Sequence, residues 1–318
     1  MSPSPPTDSS RTRPAIVTGG ARGIGRAAAQ ALAQAGHPVC VNDTGVALDG
    51  TDPSPEPAQR AVAALEERGG RAMASTLDVR TSAAARELVA EVQRWAGVAP
   101  TILVHAAGSL RDGMVHKASD DDWAEILGSH LSVAVELTRA VATEIRASRF
   151  GRIVYIGGAA GLVGNAGQAS YVVAKAGLFG LTRAVALEMA GRDVCVNYLV
   201  PFAFTRMTES IPPVNDQLRS YLESAAQAQP ADVGPLIAWL CSDAARGVSG
   251  QVLGCRGAEV AMWSQPRPVA SLVDQAGWDL ERLTRTARPG LEPELVPLES
   301  EFDVFANAPV PVTEGMTP

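Results

Sequence analysis

Short apolar runs that end in glycine or proline alternate with longer stretches of helical composition along most of this chain. Pro14-Ala-Ile-Val-Thr-Gly-Gly reads as a buried first strand, and Ile24 to Gly36 as a helix with a glycine stop. HPVCVND is a second strand closing on Asp43, and Thr44 to Pro57, rich in Gly, Pro and Asp, is a loop. EPAQRAVAALEERGG is a helix, RAMASTLDV a third strand and TSAAARELVAEVQRWAG a third helix. TILVHAAG, GRIVYIGG, VCVNYLVP and GQVLGC read as four further strands. Between them lie one long helical stretch from Ser119 to Arg146, a helix from Gln168 to Ala190 and another from Pro230 to Asp243. Seven strands alternating with helices predict an α/β fold, a doubly wound parallel sheet with helices on both faces. Ligands of such sheets bind beyond the carboxyl ends of the strands. The turns Thr18 to Gly25, Asp43, Asp78, Ala106 to Gly108, Gly157 to Gly158 and Pro201 are therefore expected to line one crevice.

The pattern divides the chain into a lead-in, 1–13, expected to be disordered, an α/β domain, 14–262, and an extension, 263–318. The extension is Pro-rich and acidic, with one helical patch near Trp278 to Thr286 and too little apolar content for a core of its own. Trp263, Trp278, Phe302 and Phe305 are expected to anchor it on the main body or on a neighbouring subunit, and the last dozen residues to be disordered.

Composition narrows the function. Of 318 residues, 46% are hydrophobic and the net charge is −7, enough for a sizeable core and the wrong sign for a general nucleic-acid binder. No stretch of 18 apolar residues is free of charges and breakers, so no membrane span is expected, and the first residues do not form a secretory signal. Cys40, Cys195, Cys241 and Cys255 have no CxxC spacing, which fits buried thiols in a cytoplasmic protein. Histidines 37, 105, 116 and 130 show no metal-ligand spacing, and no metal is expected.

Two motifs carry chemistry. Thr18-Gly-Gly-Ala-Arg-Gly-Ile-Gly25 opens a helix directly after a strand, so Gly19, Gly23 and Gly25 let backbone amides approach a diphosphate, with Arg22 and Ile24 between them. Asp43 ends the next strand, where a carboxylate accepts from ribose hydroxyls and repels the extra phosphate of NADP; NAD is favoured, with Arg22 as the residue that would favour NADP. Asp78 either faces the adenine amine or caps the helix beginning near Ser82. Tyr171 and Lys175 stand four residues apart in QASYVVAKAG, about one helical turn, so phenol and ammonium share a face.

The glycine turn, the small-residue turn Ala106-Ala107-Gly108, the YxxxK pair and the order of elements resemble the short-chain dehydrogenase/reductase family, over about Pro14 to Gly257. VNDTG, GSLRDGMVHKASDDDW, GLVGNAGQASY and PFAFTRMTE are similar to the (R)-3-hydroxyacyl-CoA dehydrogenase domain of multifunctional β-oxidation enzymes and actinobacterial relatives. The extension resembles the tails of actinobacterial members associated with sterol or fatty acyl-CoA catabolism.

The resemblance implies a Rossmann fold with Tyr171 as the acid/base, its phenol brought down from about 10 by the Lys175 ammonium, which also holds the cofactor ribose. It adds Val79, Ala106, Ala107, Gly108, Pro201, Phe202 and Thr205 to the cofactor site, and His130 to the catalytic set in place of an asparagine. Gly158 falls where the family carries a serine donor, and loss of such a donor typically costs about 10²–10³ in rate. A substrate hydroxyl, a water or Ser109 would have to replace it. His105 stands where the family prefers asparagine, which implies the loss of an amide that braces strand four. Gly158, Leu162, Val163, Phe202 and Phe204 are the expected substrate wall, and Thr208 to Gln229 its cover.

Relatives associate through their fourth and fifth helices, so a homodimer or homotetramer is expected, with Val133 to Ala142 and Ala174 to Ala186 as compatible faces. The leading function is an NAD-dependent oxidoreductase on an apolar secondary alcohol or ketone: a 3-hydroxyacyl thioester, a sterol or a polyketide-like molecule. The alternatives are non-redox chemistry on the same fold (isomerisation, dehydration or cyclisation) and a cofactor-binding subunit without turnover.

Overall fold

A computed structural model describes residues 13–312. Eight strands form one sheet in the order β3-β2-β1-β4-β5-β6-β7-β8. They are β1 (Ala15–Thr18), β2 (Val39–Asn42), β3 (Ala72–Ser75), β4 (Ile102–His105), β5 (Phe150–Ile156), β6 (Asp193–Phe202), β7 (Val252–Arg256) and β8 (Glu259–Met262). The first seven run parallel, as buried apolar runs joined by helical crossovers must. The eighth corrects the seven-strand expectation: Gly257, at φ +57°, turns the chain back and β8 pairs antiparallel to β7. Glu-Val-Ala-Met alternates between half-buried and exposed positions, as an edge strand does, and is too short to be read as a strand from its sequence.

The helices are α1 (Gly23–Gln34), α2 (Glu56–Glu66), α3 (Ser82–Ala96), α4 (Asp120–Leu127), α5 (Val133–Ser148), α6 (Ala160–Val163), α7 (Ala169–Glu188), α8 (Arg206–Glu209), α9 (Asp216–Ala225), α10 (Pro230–Cys241), α11 (Leu280–Leu291) and α12 (Glu301–Val304). Successive residues of each buried strand feed opposite faces. Ile16, Leu103 and Ile153 join Leu88, Leu137 and Leu178 of α3, α5 and α7, whereas Val17, Val104 and Val154 join Leu32, Leu65 and Ile237 of α1, α2 and α10. The chain reverses its winding between β1 and β4, which opens a crevice at their carboxyl ends.

The expected single helix over Ser119 to Arg146 is two helices joined by a π turn at Gly128–Ser132. Such turns insert one residue and re-aim the side chains around it. Among the described helices, α7 alone is long and apolar enough by length and composition to cross a membrane; it packs on β6, α4 and α6. All four cysteines are buried and free, and burial pushes the Cys40 and Cys241 thiols up to about 12.

The extension returns to the body. Phe305 is buried, 4.9 Å from the Phe202 ring and 6.2 Å from Trp263, while Phe302 meets Tyr221 edge-on at 4.8 Å. Trp278, 40% exposed, is not an anchor among the described residues. Part of the expected disordered end is tied down: the Ala258 amide donates to the Val310 carbonyl at 2.9 Å, and Arg256 donates to the Asn307 carbonyl at 2.6 Å. The rest of that segment, and the lead-in over 1–12, lie outside the described residues.

Candidate active site

The turn after β1 is shaped by close packing. Gly19, at φ +61°, lies so near β4's exit that an added Cβ would sit 2.8 Å from the Ala107 backbone, and one on Gly25 would collide with the Gly19 carbonyl. The first turn of α1 has neither a side-chain cap nor an acidic residue, so its free amides point to the crevice as an anion site. At the end of β2 the Asp43 carboxylate accepts from the amides of Ala21 (3.0 Å) and Gly45 (2.8 Å). Arg22 donates to the carbonyls of Val46 (2.8 Å) and Gly45 (3.2 Å), which turns its guanidinium onto the backbone. Arg206 reaches the same Val46 carbonyl; burial and then Arg22 lower its pKa, against the pull of Asp43. Asp78 does not cap α3, because the Thr81 hydroxyl accepts from the Ala84 amide and does so instead. Asp78 stands exposed on the rim and accepts from the Arg80 amide at 3.2 Å.

One cavity gathers every expected cofactor residue. Gly19, Arg22, Gly23, Ile24, Gly25, Asp43, Asp78 and Val79 line one end, and Ala106, Ala107, Gly108, Pro201, Phe202 and Thr205 line the middle. Gly158, His130, Tyr171 and Lys175 stand at the other end.

At that end the Lys175 ammonium donates to the Ile156 carbonyl at 2.7 Å and lies 5.4 Å from the Tyr171 ring centroid. Burial brings Lys175 down to about 7, with the Glu301 carboxylate pulling the other way. The Tyr171 phenol is pushed well above its ordinary value by burial, then by Glu301, Tyr198 and Asp112. The protein's own groups therefore raise the phenol rather than lower it.

The π turn sets His130 edge-on to Tyr171, ring centroids 5.2 Å apart. Its Nε2 donates to the Ser109 carbonyl at 2.8 Å, and its buried Nδ1 has no partner among the described residues. Burial, then Lys175, keeps the ring neutral. His105 corrects the expected lost brace. The Thr18 hydroxyl donates to its Nδ1 at 2.8 Å while its Nε2–H donates to the His130 carbonyl at 2.7 Å, so one imidazole ties β1, β4 and the π turn together. Burial holds it neutral, down to about 3. Ser109 is not a spare donor either: its hydroxyl donates to Glu125 at 2.9 Å and lies 2.9 Å from Ser129.

The two glycines after β5 are matched to Tyr198. Its ring fills the space that a Gly157 side chain would need, and its hydroxyl donates to the Gly158 carbonyl (3.0 Å) while accepting from the Gly158 amide (3.1 Å). A Cβ on Gly158 would stand 3.3 Å from the Tyr171 oxygen, so a side chain there would touch the phenol.

Two of the five residues of the expected substrate wall border this cavity. Gly158 and Phe202 line the cavity; Leu162, Val163 and Phe204 do not. Leu162 and Phe204 pack instead against the core below. Met207 and Ile211 from the expected cover replace them, together with Tyr221, Glu301 and Phe302. Sequence reasoning missed Glu301. Its carboxyl accepts from the Ala160 amide (3.2 Å) and from the Tyr221 hydroxyl (3.3 Å), and burial raises its pKa. The available signal was Ser300-Glu-Phe-Asp303, whose serine and aspartate form a capping box that starts α12 beside two aromatic residues.

A cavity of this kind at the switch point of a doubly wound sheet is the seat of a dinucleotide in nucleotide-linked oxidoreductases. The chain belongs to the short-chain dehydrogenase/reductase family, whose members use NAD(P): a family model described as Enoyl-(Acyl carrier protein) reductase matches residues 19–257. It is 36% identical to the hydroxyacyl-CoA dehydrogenase ChsB1 of Mycobacterium tuberculosis over 292 residues, 88% of this chain and 90% of that one. It is 35% identical to the peroxisomal multifunctional enzyme type 2 of Mus musculus over 232 residues, 73% of this chain and 30% of the much longer enzyme. The crystal structure of a short chain dehydrogenase from Mycobacterium avium superposes with a TM-score of 0.74 at 30% identity, covering 95% of this chain and 98% of that one. The protein is an oxidoreductase of this family.

Proposed function

We propose that the protein is an NAD-dependent dehydrogenase that interconverts a secondary alcohol and a ketone on an apolar acyl substrate, a 3-hydroxyacyl thioester being the favoured class. The observation that carries this reading is a single cavity lined by the glycine turn, Asp43, Tyr171 and Lys175. Its donor set fits a nicotinamide dinucleotide. The uncapped amides of α1 suit the diphosphate, the Gly19 and Gly25 cradle leaves no room for side chains, and Asp43 suits two ribose hydroxyls. Arg22 turns away onto carbonyls, which supports NAD over NADP.

When bound, the nicotinamide exchanges a hydride with the substrate carbon. Tyr171 exchanges the proton at the substrate oxygen, and Lys175 supplies the positive charge beside it and holds the ribose. His130 keeps the Tyr171 ring in place from its edge. Gly158 stands where the family's serine would donate to the same oxygen, and the contact distance to the phenol supports that correspondence. The thioester class is supported by the names of the hydroxyacyl-CoA dehydrogenase and multifunctional enzyme relatives, and by an apolar wall of Phe202, Met207, Ile211 and Phe302. Exposed Val173 and Leu187 on α7 support association of two or more copies through this helix.

The test is the change in nicotinamide absorbance with a 3-ketoacyl thioester. Turnover is expected with the native chain and a loss of about 10²–10⁴ in Tyr171→Phe, with NAD binding retained. A second reading, non-redox chemistry on the same fold, is favoured by one observation: no side-chain hydroxyl stands at Gly158. It would reveal itself as product formed with no net change in nicotinamide.

A further inference from the structure

Between Gln265 and Glu301 the chain forms an arm. At its root Gln265 donates to the Gly250 carbonyl at 2.9 Å, and at its return the Glu301 amide donates to the Gly164 carbonyl at 3.3 Å. From Pro266 to Ser300 no residue is buried. The arm nevertheless contains α11, whose Leu280, Leu283, Ala287 and Leu291 are spaced by three, four and four residues along one face. A helix of about 12 residues is marginal in water by itself, and Pro289 and Gly290 weaken this one further. Its apolar face is what would stabilise it, and nothing in the described chain buries that face. The apolar residues exposed along β8 and the arm, from Val260 to Leu298, present on the order of 1,000 Å², where a stable interface takes about 800 Å² from each partner.

Charge selects the kind of cover. The arginines of α11 are paired within the arm: Arg282 with Asp274 and Asp279, Arg285 with Glu281, and Arg288 with Glu292. The helix therefore offers no unpaired basic face to anionic lipid. Glu294 and Glu299 are not among these partners; they flank Leu295, Val296 and Leu298, the last completely exposed. The complement of this acidic, apolar segment stands on the body. A second cavity, separate from the active site, opens where α7 meets the start of β6. Ala186, Ala190 and the 70% exposed Leu187 form its apolar side, and three arginines, Arg183, Arg192 and Arg246, face it against the single carboxylate of Asp193. Asp193 holds Arg246 at 2.7 Å, and Arg183 donates to the Gly250 carbonyl at 2.7 Å. Gly250, at the root of the arm, lines this same cavity. Root and cavity lie side by side, so a two-fold axis that turns two such cavities toward each other starts each arm beside the cavity of the other copy.

We propose that a second copy of this chain covers the arm, the segment Glu294 to Glu299 of each copy seating on the arginine-rimmed cavity of the other. The contact is continuous with the exposed Leu187 surface of α7. Glu301 and Phe302, which follow the docked segment directly, line the active-site cavity, so docking fixes one wall of the substrate end. The docking is independent of the chemistry; its effect on turnover rests on the oxidoreductase reading above.

Sedimentation equilibrium on the full chain, on a cavity variant, Arg192→Glu, and on an arm variant, Glu294→Lys/Glu299→Lys, tests the docking. The native chain is expected to be associated at micromolar concentration, and each variant to associate at least about tenfold more weakly. An equimolar mixture of the two variants regains association, because the native arm of one then meets the native cavity of the other. Contact within a single chain, or misfolding of either variant, gives no such recovery. With a 3-ketoacyl thioester and NADH, each variant is expected to raise KM for the thioester and to keep Kd for NADH within about twofold, and the mixture to lower KM again. A native chain that stays monomeric overturns the proposal, as do variants that associate as strongly as the native chain and a mixture no better than its parts. Binding to phosphatidylglycerol vesicles in place of self-association overturns it too. Arm-dependent association in a chain silent with both nicotinamides supports the docking and overturns the oxidoreductase reading.

Discussion

Asp43 is held by two backbone amides, and its carboxylate sits at the tip of the strand beside the glycine turn. A charge-assisted hydrogen bond contributes about 1.5–3 kcal/mol, so Asp43→Asn is expected to weaken NAD at least about tenfold and to narrow its advantage over NADP. Isothermal titration with both nucleotides checks this. The residues of the nucleotide end were legible in the sequence because their spacing is local: a turn of eight residues and one carboxylate at a strand end. Tyr171 and Lys175 were legible for the same reason, one helical turn apart. Glu301 and Tyr221 were not, since neither stands near the motif it meets and only the folded chain brings them together. Leu162 and Phe204 misled because an apolar side chain next to a site and one beneath it look identical in sequence.

Between residues and the whole lie the braces that join elements. His105 links β1, β4 and the π turn through its two ring nitrogens, and His130 reaches from that turn to the Ser109 carbonyl. Both imidazoles are kept neutral by burial, His105 down to about 3. In the unfolded chain they titrate near 6.5, so below that pH the unfolded state binds more protons and the folded state loses stability. The expected fall is up to about 1.4 kcal/mol per pH unit for His105 between pH 6.5 and roughly pH 3, and His130 adds to it in the same direction. Denaturant unfolding across that range checks it, and His105→Asn should flatten the slope. The alternation of strands and helices was legible because buried parallel strands are uniformly apolar. The π turn and β8 were not: helical composition carries no mark of one inserted residue, and a run of four residues is too short to show a strand's alternation. The glycine pair after β5 had a partner that only packing reveals, the ring of Tyr198.

At the scale of the molecule, the returning extension shapes the substrate end. Phe305 is buried against Phe202 and Trp263, and Phe302 meets Tyr221 edge-on, so the last helix is fastened by aromatic contacts just after Glu301. Removing such a ring typically costs about 3–5 kcal/mol. Phe305→Ala is therefore expected to lower the melting temperature by several degrees and to raise KM for the acyl substrate more than Kd for NAD. Thermal melts and steady-state kinetics on one preparation separate the two effects. The composition of the extension excluded a separate core but left its landing place open, which is set by complementarity with the body rather than by local pattern. Glu301 and Phe302 are the last residues along the chain to line the reaction chamber, so its wall is completed only when the end of the described chain has folded back onto the body. Clipping ahead of that point would strip one side from the chamber and weaken the body that remains, because Phe305 leaves with it.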